Sequence, residues 1–253
     1  MNIFDITGHK VIVTGGTRGC GRAIAEGFLQ AGCEVVITAS SDKAMSVAAT
    51  FREQGYACHG ICADLSDSGR VLKAFDQALH LLGGRLDTLV NSAAVQFRCP
   101  ADEAPLDKLK WLFRINFIAP YLLTAGATKV MKKQRRGRVI NISSNLAVLV
   151  GICMAPYSSS KGAVLQMTKS FSNDCADFGI TYNCVAPGYI DNGMMEPITS
   201  DPARSRQALS RVPVGRFGKP DDLKGACIFL ASDAASYISG IFLGVDGGYL
   251  AMS

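Results

Sequence analysis

The chain has 253 residues, of which 48% are hydrophobic and 19% charged, with a formal net charge of +5. So much apolar material and so little net charge exclude a disordered chain and leave ample stock for a sizeable core. No run approaches the roughly eighteen continuous apolar residues of a membrane span. Residues 1–10 lack the basic-then-apolar pattern of a secretory leader, so a soluble, cytoplasmic protein with no membrane partner is expected.

Strand-like and helix-like segments alternate from end to end. Strands are expected at 11–14, 34–39, 56–63, 88–91, 138–143, 181–186 and 241–245. Helices are expected at 21–31, 43–54, 70–82, 107–134, 157–178 and 221–231. This alternation argues for an α/β fold with a single doubly wound, Rossmann-type parallel sheet and helices on both faces. No linker or low-complexity stretch divides the chain, which reads as one domain over 1–253. The one long irregular region, 187–220, contains Gly188, Pro197, Pro202, Pro213 and Gly215 and is expected to form a lid. A basic run at 129–138 includes Lys132, Lys133, Arg135, Arg136 and Arg138. No stacking aromatics interleave it, so it reads as the dipole-complementing end of a helix rather than a nucleic-acid surface.

Nine cysteines include no C-x-x-C pair, and His9, His59 and His80 make no ligand-spaced set with them. Neither a disulfide framework nor a metal site is expected. The cysteines read as small buried apolar residues of a reducing compartment.

The first strand runs into Thr14-Gly15-Gly16-Thr17-Arg18-Gly19-Cys20-Gly21, and a helix opens at once. Glycines here permit a tight turn, close approach of a pyrophosphate, and a helix N-terminus aimed at it. Where an acid at the end of the second strand would bond the ribose of NAD, the chain has Thr38-Ala39-Ser40-Ser41. Asp42 comes slightly late and reads as an N-cap. With Arg18 placed to grip a 2′-phosphate, NADP(H) is favoured over NAD(H). Further on, Tyr157 and Lys161 stand four apart ahead of Ala163, Val164, Met167 and Phe171. They share one helix face, and a cation beside a phenol favours the phenolate.

These motifs, with Asn91-Ser92-Ala93-Ala94, Asn116, Ser144, Val185-Ala186-Pro187-Gly188 and Val245-Asp246-Gly247-Gly248, span essentially the whole chain. In this order it resembles the short-chain dehydrogenases/reductases. The resemblance implies hydride transfer between a nicotinamide and a secondary alcohol or ketone. Tyr157 would move the hydroxyl proton, and Lys161 would lower its pKa and hold the nicotinamide ribose. Ser144 would bond the reacting oxygen, and Asn116 would support a water-linked proton path to the lysine. The thirteen-residue step to Tyr157 matches Ser144 rather than Ser143 to the family's serine. Implied cofactor contacts are Gly15, Thr17, Arg18, Gly19, Gly21, Ser40, Asp64, Leu65, Asn91, Ala93, Tyr157, Lys161, Pro187, Gly188, Ile190 and Asn192. The chain departs from the family pattern at Ala94, where glycine is usual, and at Asn192, where a threonine usually bonds the carboxamide.

Val95-Gln96-Phe97-Arg98, residues 221–225 and Gly247-Gly248-Tyr249-Leu250 resemble the sugar-acid branch, which includes gluconate 5-dehydrogenase and deoxygluconate dehydrogenases. There Arg98 matches an arginine able to pair with a substrate carboxylate; the alternative is a surface arginine without a ligand. Arg98, Ser144, Tyr157 and Met194 are the expected substrate contacts, with Met195 and Ile198 beside them. A 3-oxoacyl-carrier-protein reductase is nearly as similar. A cofactor-binding regulatory protein without turnover is the third reading, although every catalytic position is filled. The apolar segment 145–156 forms either a substrate wall or a packing surface. By the same resemblance the long helices and the last strand assemble a symmetric homotetramer.

Overall fold

The computed structural model describes residues 2–193 and 195–252. Its seven strands are β1 (Lys10–Thr14), β2 (Glu34–Ala39), β3 (Cys58–Cys62), β4 (Thr88–Asn91), β5 (Gly137–Ile142), β6 (Ile180–Pro187) and β7 (Phe242–Val245). All pair in parallel in the order β3-β2-β1-β4-β5-β6-β7. The central strands are buried along almost their whole length, as parallel strands covered on both faces must be.

One face is covered by α1 (Gly19–Gln30), α2 (Lys43–Glu53) and α9 (Lys224–Ala231). Ile24, Phe28, Phe51 and Leu230 pack there on Val11, Val35 and Ile140. On the other face lie α3 (Ser68–Leu81), α4 (Leu106–Phe113), α5 (Ala119–Gln134) and α6 (Ala155–Asp174). Phe75, Leu123, Met131 and Tyr182 close that layer over Ile12, Leu89 and Val139. Strand order reverses between β1 and β4, and ligands of such sheets bind in the crevice beyond the strands' carboxyl ends at that point.

Several expectations need correction. The helix expected over 107–134 is interrupted by Arg114–Ile118, which widens into π-helical geometry between α4 and α5. Residues 187–220 are not irregular throughout. They hold α7 (Glu196–Thr199) and α8 (Pro202–Leu209), the latter capped by the Asp201 side chain. The base of this segment is zipped shut, because Asp191 N donates to Gly218 O at 2.8 Å and Gly218 N to Tyr189 O at 2.9 Å. Asp42 occupies the N-cap position of α2 in helical backbone, and its side chain makes no capping bond. Of the nine unpaired cysteines five are buried, Cys20, Cys99 and Cys153 are partly exposed, and Cys62 is exposed. The basic run closes α5 as expected, with Lys132 and Lys133 in its last turn; Arg136 and Arg138 meet Asp233, and Lys132 lies 4.4 Å from the centre of the Phe178 ring.

Candidate active site

The glycine turn is set by backbone packing. Gly15 and Gly19 hold left-handed φ values of 69° and 52°, which glycine adopts without a Cβ penalty. A Cβ on Gly21 would stand 2.3 Å from Gly15 O, so only glycine lets α1 start this close to the turn. Thr14 Oγ1 accepts from Ser92 N at 3.0 Å and Ala93 N at 3.1 Å, tying the turn to the loop after β4. Thr17 is partly exposed, and Arg18 is exposed at the N-cap of α1 in extended backbone. The result is an open cradle of backbone at a helix N-terminus, which fits a pyrophosphate.

The Asn91 side-chain amide is engaged inside the sheet layer, donating to Asn141 Oδ1 at 2.8 Å and Thr124 Oγ1 at 3.1 Å. Asn141 continues this buried network to Thr168 of α6.

At the adenosine end, Ser40, Cys62, Asp64, Arg70, Lys73 and Ala74 line a cleft of about 230 Å³ with Gln77. Asp64 Oδ1 accepts from Ser66 N at 2.9 Å and Ser66 Oγ at 2.8 Å, and these bonds hold its carboxyl below the usual range. Leu65 beside it is partly buried. Arg70 and Lys73 are additions to the expected set. They lie three apart on α3, on the same cleft as Ser40, a placement that no motif announced.

The reactive groups come together where β5 meets the head of α6. The Ser144 hydroxyl stands close enough to the Tyr157 phenol to act on its proton. Ser144 Oγ also accepts from Leu146 N at 3.2 Å, which holds it at the start of its loop. Ser143 points inward, donating to Lys161 O at 3.2 Å. Lys161, only 3% exposed, donates from Nζ to Ile142 O at 2.8 Å, and Nζ lies 5.7 Å from the Tyr157 ring centre. Burial pushes the Tyr157 phenol up to about 12, while the nearby Ser144 hydroxyl pulls the other way. Burial also pulls the Lys161 ammonium down to about 8. The expected lowering of the phenol by the lysine is therefore outweighed by desolvation of both groups.

Asn116 sits in the π-helical turn and is 1% exposed. Its Oδ1 accepts from Val95 N and its Nδ2 donates to Val95 O, both at 2.9 Å, with a further bond to Ser160 Oγ at 3.1 Å. Ser160 Oγ in turn donates to Tyr157 O at 2.8 Å. The Asn116 side chain thus ties the loop after β4 to α6, and π-helical turns recur at functional sites.

A family model described as an enoyl-(acyl carrier protein) reductase matches residues 14–250. The 2-dehydro-3-deoxy-D-gluconate 5-dehydrogenase of Bacillus subtilis (strain 168) is 35% identical over 248 residues, covering 98% of this chain and 96% of that protein. A crystal structure of a gluconate 5-dehydrogenase from Burkholderia cenocepacia J2315 in complex with NADP and tartrate matches with a TM-score of 0.95. It is 34% identical, and the match covers 100% of this chain and 99% of that one. The 3-oxoacyl-(acyl-carrier-protein) reductase of Aquifex aeolicus (strain VF5) is 34% identical, over 96% of this chain and 98% of its own.

The chain belongs to the short-chain dehydrogenase/reductase family. It is an oxidoreductase that acts on CH–OH groups with NAD(P), and the reading as a regulator without turnover is set aside.

In this dehydrogenase/reductase the mouth of the crevice is built by loops after β4, β5, β6 and β7. Gly188 N donates to Val245 O at 3.1 Å, beside the partly exposed Pro187. Asp246 then collects Asn145 Nδ2 at 3.0 Å, Gly248 N at 3.0 Å and Leu250 N at 2.9 Å, which fixes the C-terminal turn beside Ser144. Ile190 is buried, and Asn192 Nδ2 donates to Cys20 Sγ at 3.5 Å, bringing the segment after β6 down on the glycine turn. Arg98 is exposed, and its charge acts on Tyr189. Met195 and Ile198 are partly buried; Met194 lies outside the described residues. In the apolar segment after β5, Val150 and Ile152 are each 90% exposed, whereas Met154 is buried.

Proposed function

We propose that this protein is an NADP(H)-dependent dehydrogenase/reductase of sugar acids or polyols, similar to gluconate 5-dehydrogenase. The observation that carries the reading is the Ser144–Tyr157 hydroxyl pair over buried Lys161, in a crevice whose mouth carries Arg98. The sugar-acid relatives and the neighbour crystallised with NADP and tartrate support the substrate class.

The cradle fits the pyrophosphate of a dinucleotide, because a Cβ on Gly21 would fill it. Gly15, Thr17, Gly19, Gly21 and Ala93 would hold the pyrophosphate end, Asp64 and Leu65 the adenine, and Pro187, Gly188, Ile190 and Asn192 the nicotinamide side. Arg18 and Ser40, with Arg70 and Lys73 on the adjoining cleft, support NADP(H) over NAD(H). Bound NADP(H) supplies or accepts the hydride. Tyr157, held protonated by burial, gives its proton to the carbonyl oxygen in reduction and takes it back in oxidation. Ser144 holds that oxygen in place. Lys161, charged, steadies the phenolate left behind and bonds the ribose. Asn116 keeps the loop and helix in register along the proton path.

Residues 187–220 act as the lid in this single-domain reading, closing over the crevice and excluding water. Assembly as a homotetramer is supported by the groove of about 730 Å³ between α5 and α6, lined by Phe117, Tyr121, Met167 and Phe171 among others. It is supported further by exposed Trp111 and Ile118 and by the free edge of β7. Among the described residues no helix is long and apolar enough to cross a membrane. The nine unpaired cysteines support the cytoplasm as the compartment.

The test is an initial-rate screen of gluconate-type sugar acids, neutral polyols and acetoacetyl thioesters with both cofactors. The expected result is NADP-linked turnover of sugar acids. Turnover of acyl thioesters alone would move the assignment to an acyl-carrier-protein reductase, the activity named for the Aquifex relative.

A further inference from the structure

Two partly exposed cysteines meet beside the reacting groups. Cys99 follows Arg98 in the loop after β4, and Cys153 lies between Ser144 and Tyr157, next to Met154 at the N-cap of α6. Their backbones are bonded to each other, because Cys99 N donates to Cys153 O at 3.2 Å. Residues so paired in sheets hold their Cα atoms about 5.5 Å apart, and a disulfide spans Cα separations of about 4.4–6.8 Å. A backbone contact of this kind therefore brings the two thiols within bridging reach without a rearrangement of either loop.

The conformation of Cys153 is a second observation. A turn over residues 151–154 is closed by Met154 N donating to Gly151 O at 3.2 Å, and within it Cys153 takes a φ of 60°. That left-handed position suits glycine and strains a residue bearing a Cβ. Among the described residues Arg135 is the one other non-glycine with a positive φ. Strained backbone collects at switch regions and active sites, and the residue kept in it here is a thiol. The other two cysteines that reach solvent, Cys20 and Cys62, sit on different elements, α1 and β3.

The loop after β4 and α6 are already tied once. Asn116 holds Val95 by two bonds and reaches the Tyr157 carbonyl through Ser160. A covalent tie at Cys99 would come further along the same loop, past Arg98, and would fix it to the entry of α6.

We propose that Cys99 and Cys153 are a redox-modification site, at which a hydroperoxide joins the two thiols in a reversible disulfide that slows substrate turnover. One thiolate attacks a peroxide oxygen, and the O–O bond breaks to leave a sulfenic acid and a water or alcohol. The second thiolate attacks the sulfenic sulfur and expels its hydroxyl as water. Each sulfur gives up one electron, the peroxide takes both, and the two thiol protons leave in the products. Such a bond is transient in a reducing compartment, which is the usual form of a redox-sensing pair there. The staple restrains the mouth and leaves the glycine turn untouched. It acts alike on whichever substrate the initial-rate screen selects.

The experiment treats the folded wild type with hydrogen peroxide and maps its peptides by mass spectrometry without reduction. The expected product is a Cys99–Cys153 cross-link within one chain, lighter by two hydrogens and reversed by dithiothreitol. Cys99→Ser and Cys153→Gly should each abolish it, and Cys62→Ser should not. Glycine takes a φ of 60° freely, so Cys153→Gly removes the thiol and keeps the turn. The oxidised wild type should lose at least about threefold in kcat/KM, as expected for a restrained gate, with dithiothreitol restoring it. Its NADPH affinity, read by fluorescence titration, should stay near that of the reduced protein. Oxidation that stops at sulfinic acid, pairs other cysteines or links separate chains would overturn the site. A cross-link that forms and leaves kcat/KM unchanged, or an equal loss of rate in peroxide-treated Cys99→Ser, would overturn its effect on turnover.

Discussion

The glycine turn after β1 and the mouth built by the loops after β4, β6 and β7 lie at the same edge of one sheet, and they are made of different material. The turn is backbone: two left-handed glycines, a glycine where a Cβ would strike a carbonyl oxygen at 2.3 Å, and a threonine bonded to two amides. The mouth is side chain: Arg98, Tyr189 and Tyr249, from the loops after β4, β6 and β7 respectively. A backbone cradle tolerates little change and recognises what all dinucleotides share. A side-chain rim costs little to alter and can tell one substrate from another.

The reactive group between these regions should show the largest effect. Tyr157→Phe keeps the ring and removes the proton, so kcat should fall about 10²–10⁴-fold while cofactor affinity, read by fluorescence titration, stays near wild type. Near-wild-type turnover would remove Tyr157 from the chemistry.

Lys161 tests the cost of the site. Its folded-state pKa of about 8 lies below its ordinary 10.5, so below pH 8 the fold buries a charge that the unfolded chain keeps in water. Stability should therefore rise between about pH 8 and 10, where the folded form has lost its proton and the unfolded form has not. Lys161→Met should melt higher than wild type at pH 7, by a few kcal/mol at most at ~1.4 kcal/mol per unit, and the gap should narrow by pH 10. Tyr157 acts in the opposite sense only above about pH 10, where the unfolded phenol ionises first. A gap that is flat or widens with pH would contradict the desolvation argument.

Cofactor choice sharpens the backbone side of the comparison. Ser40→Asp places a carboxylate on the cleft shared with Arg70 and Lys73 and should shift the NADP/NAD affinity ratio by about 10- to 100-fold toward NAD, the size of a charge-assisted contact. An unchanged ratio would place the 2′-phosphate elsewhere. Gly21→Ala should cost about 1–3 kcal/mol of stability through overpacking and weaken both cofactors alike, as thermal melts and titrations would show. Loss confined to one cofactor would mean the turn reads more than the shared pyrophosphate.

The smallest effect belongs to the lid. Arg216 grips Asp222 at 2.7 and 3.1 Å, which holds the Asp222 carboxyl down at about 2. Both side chains are partly solvated, so Asp222→Asn should cost only about 0.2–1 kcal/mol. The wild type should keep this contribution above about pH 4 and lose it as pH falls through 2. A larger loss would make the lid base a structural element on a par with the turn.

Much of the fold and the grouping of the candidate site residues was legible because it rests on local rules. Strand–helix alternation, the glycine turn and the four-residue step from Tyr157 to Lys161 depend on spacing alone, and a regular backbone turns spacing into position. What the sequence hid was anything decided by a distant partner. Nothing in the spacing shows that Asn141 and Thr124 engage the Asn91 side-chain amide inside the sheet layer. Lys161 reads as the group that lowers Tyr157 until both are desolvated together. By itself the sequence determined the parallel sheet, the cradle and the reacting pair, because periodicity and glycine freedom are properties of neighbouring residues. Only the tertiary structure decided which polar groups face the crevice and how their protons are held, because burial and hydrogen-bond competition depend on residues that meet only after folding.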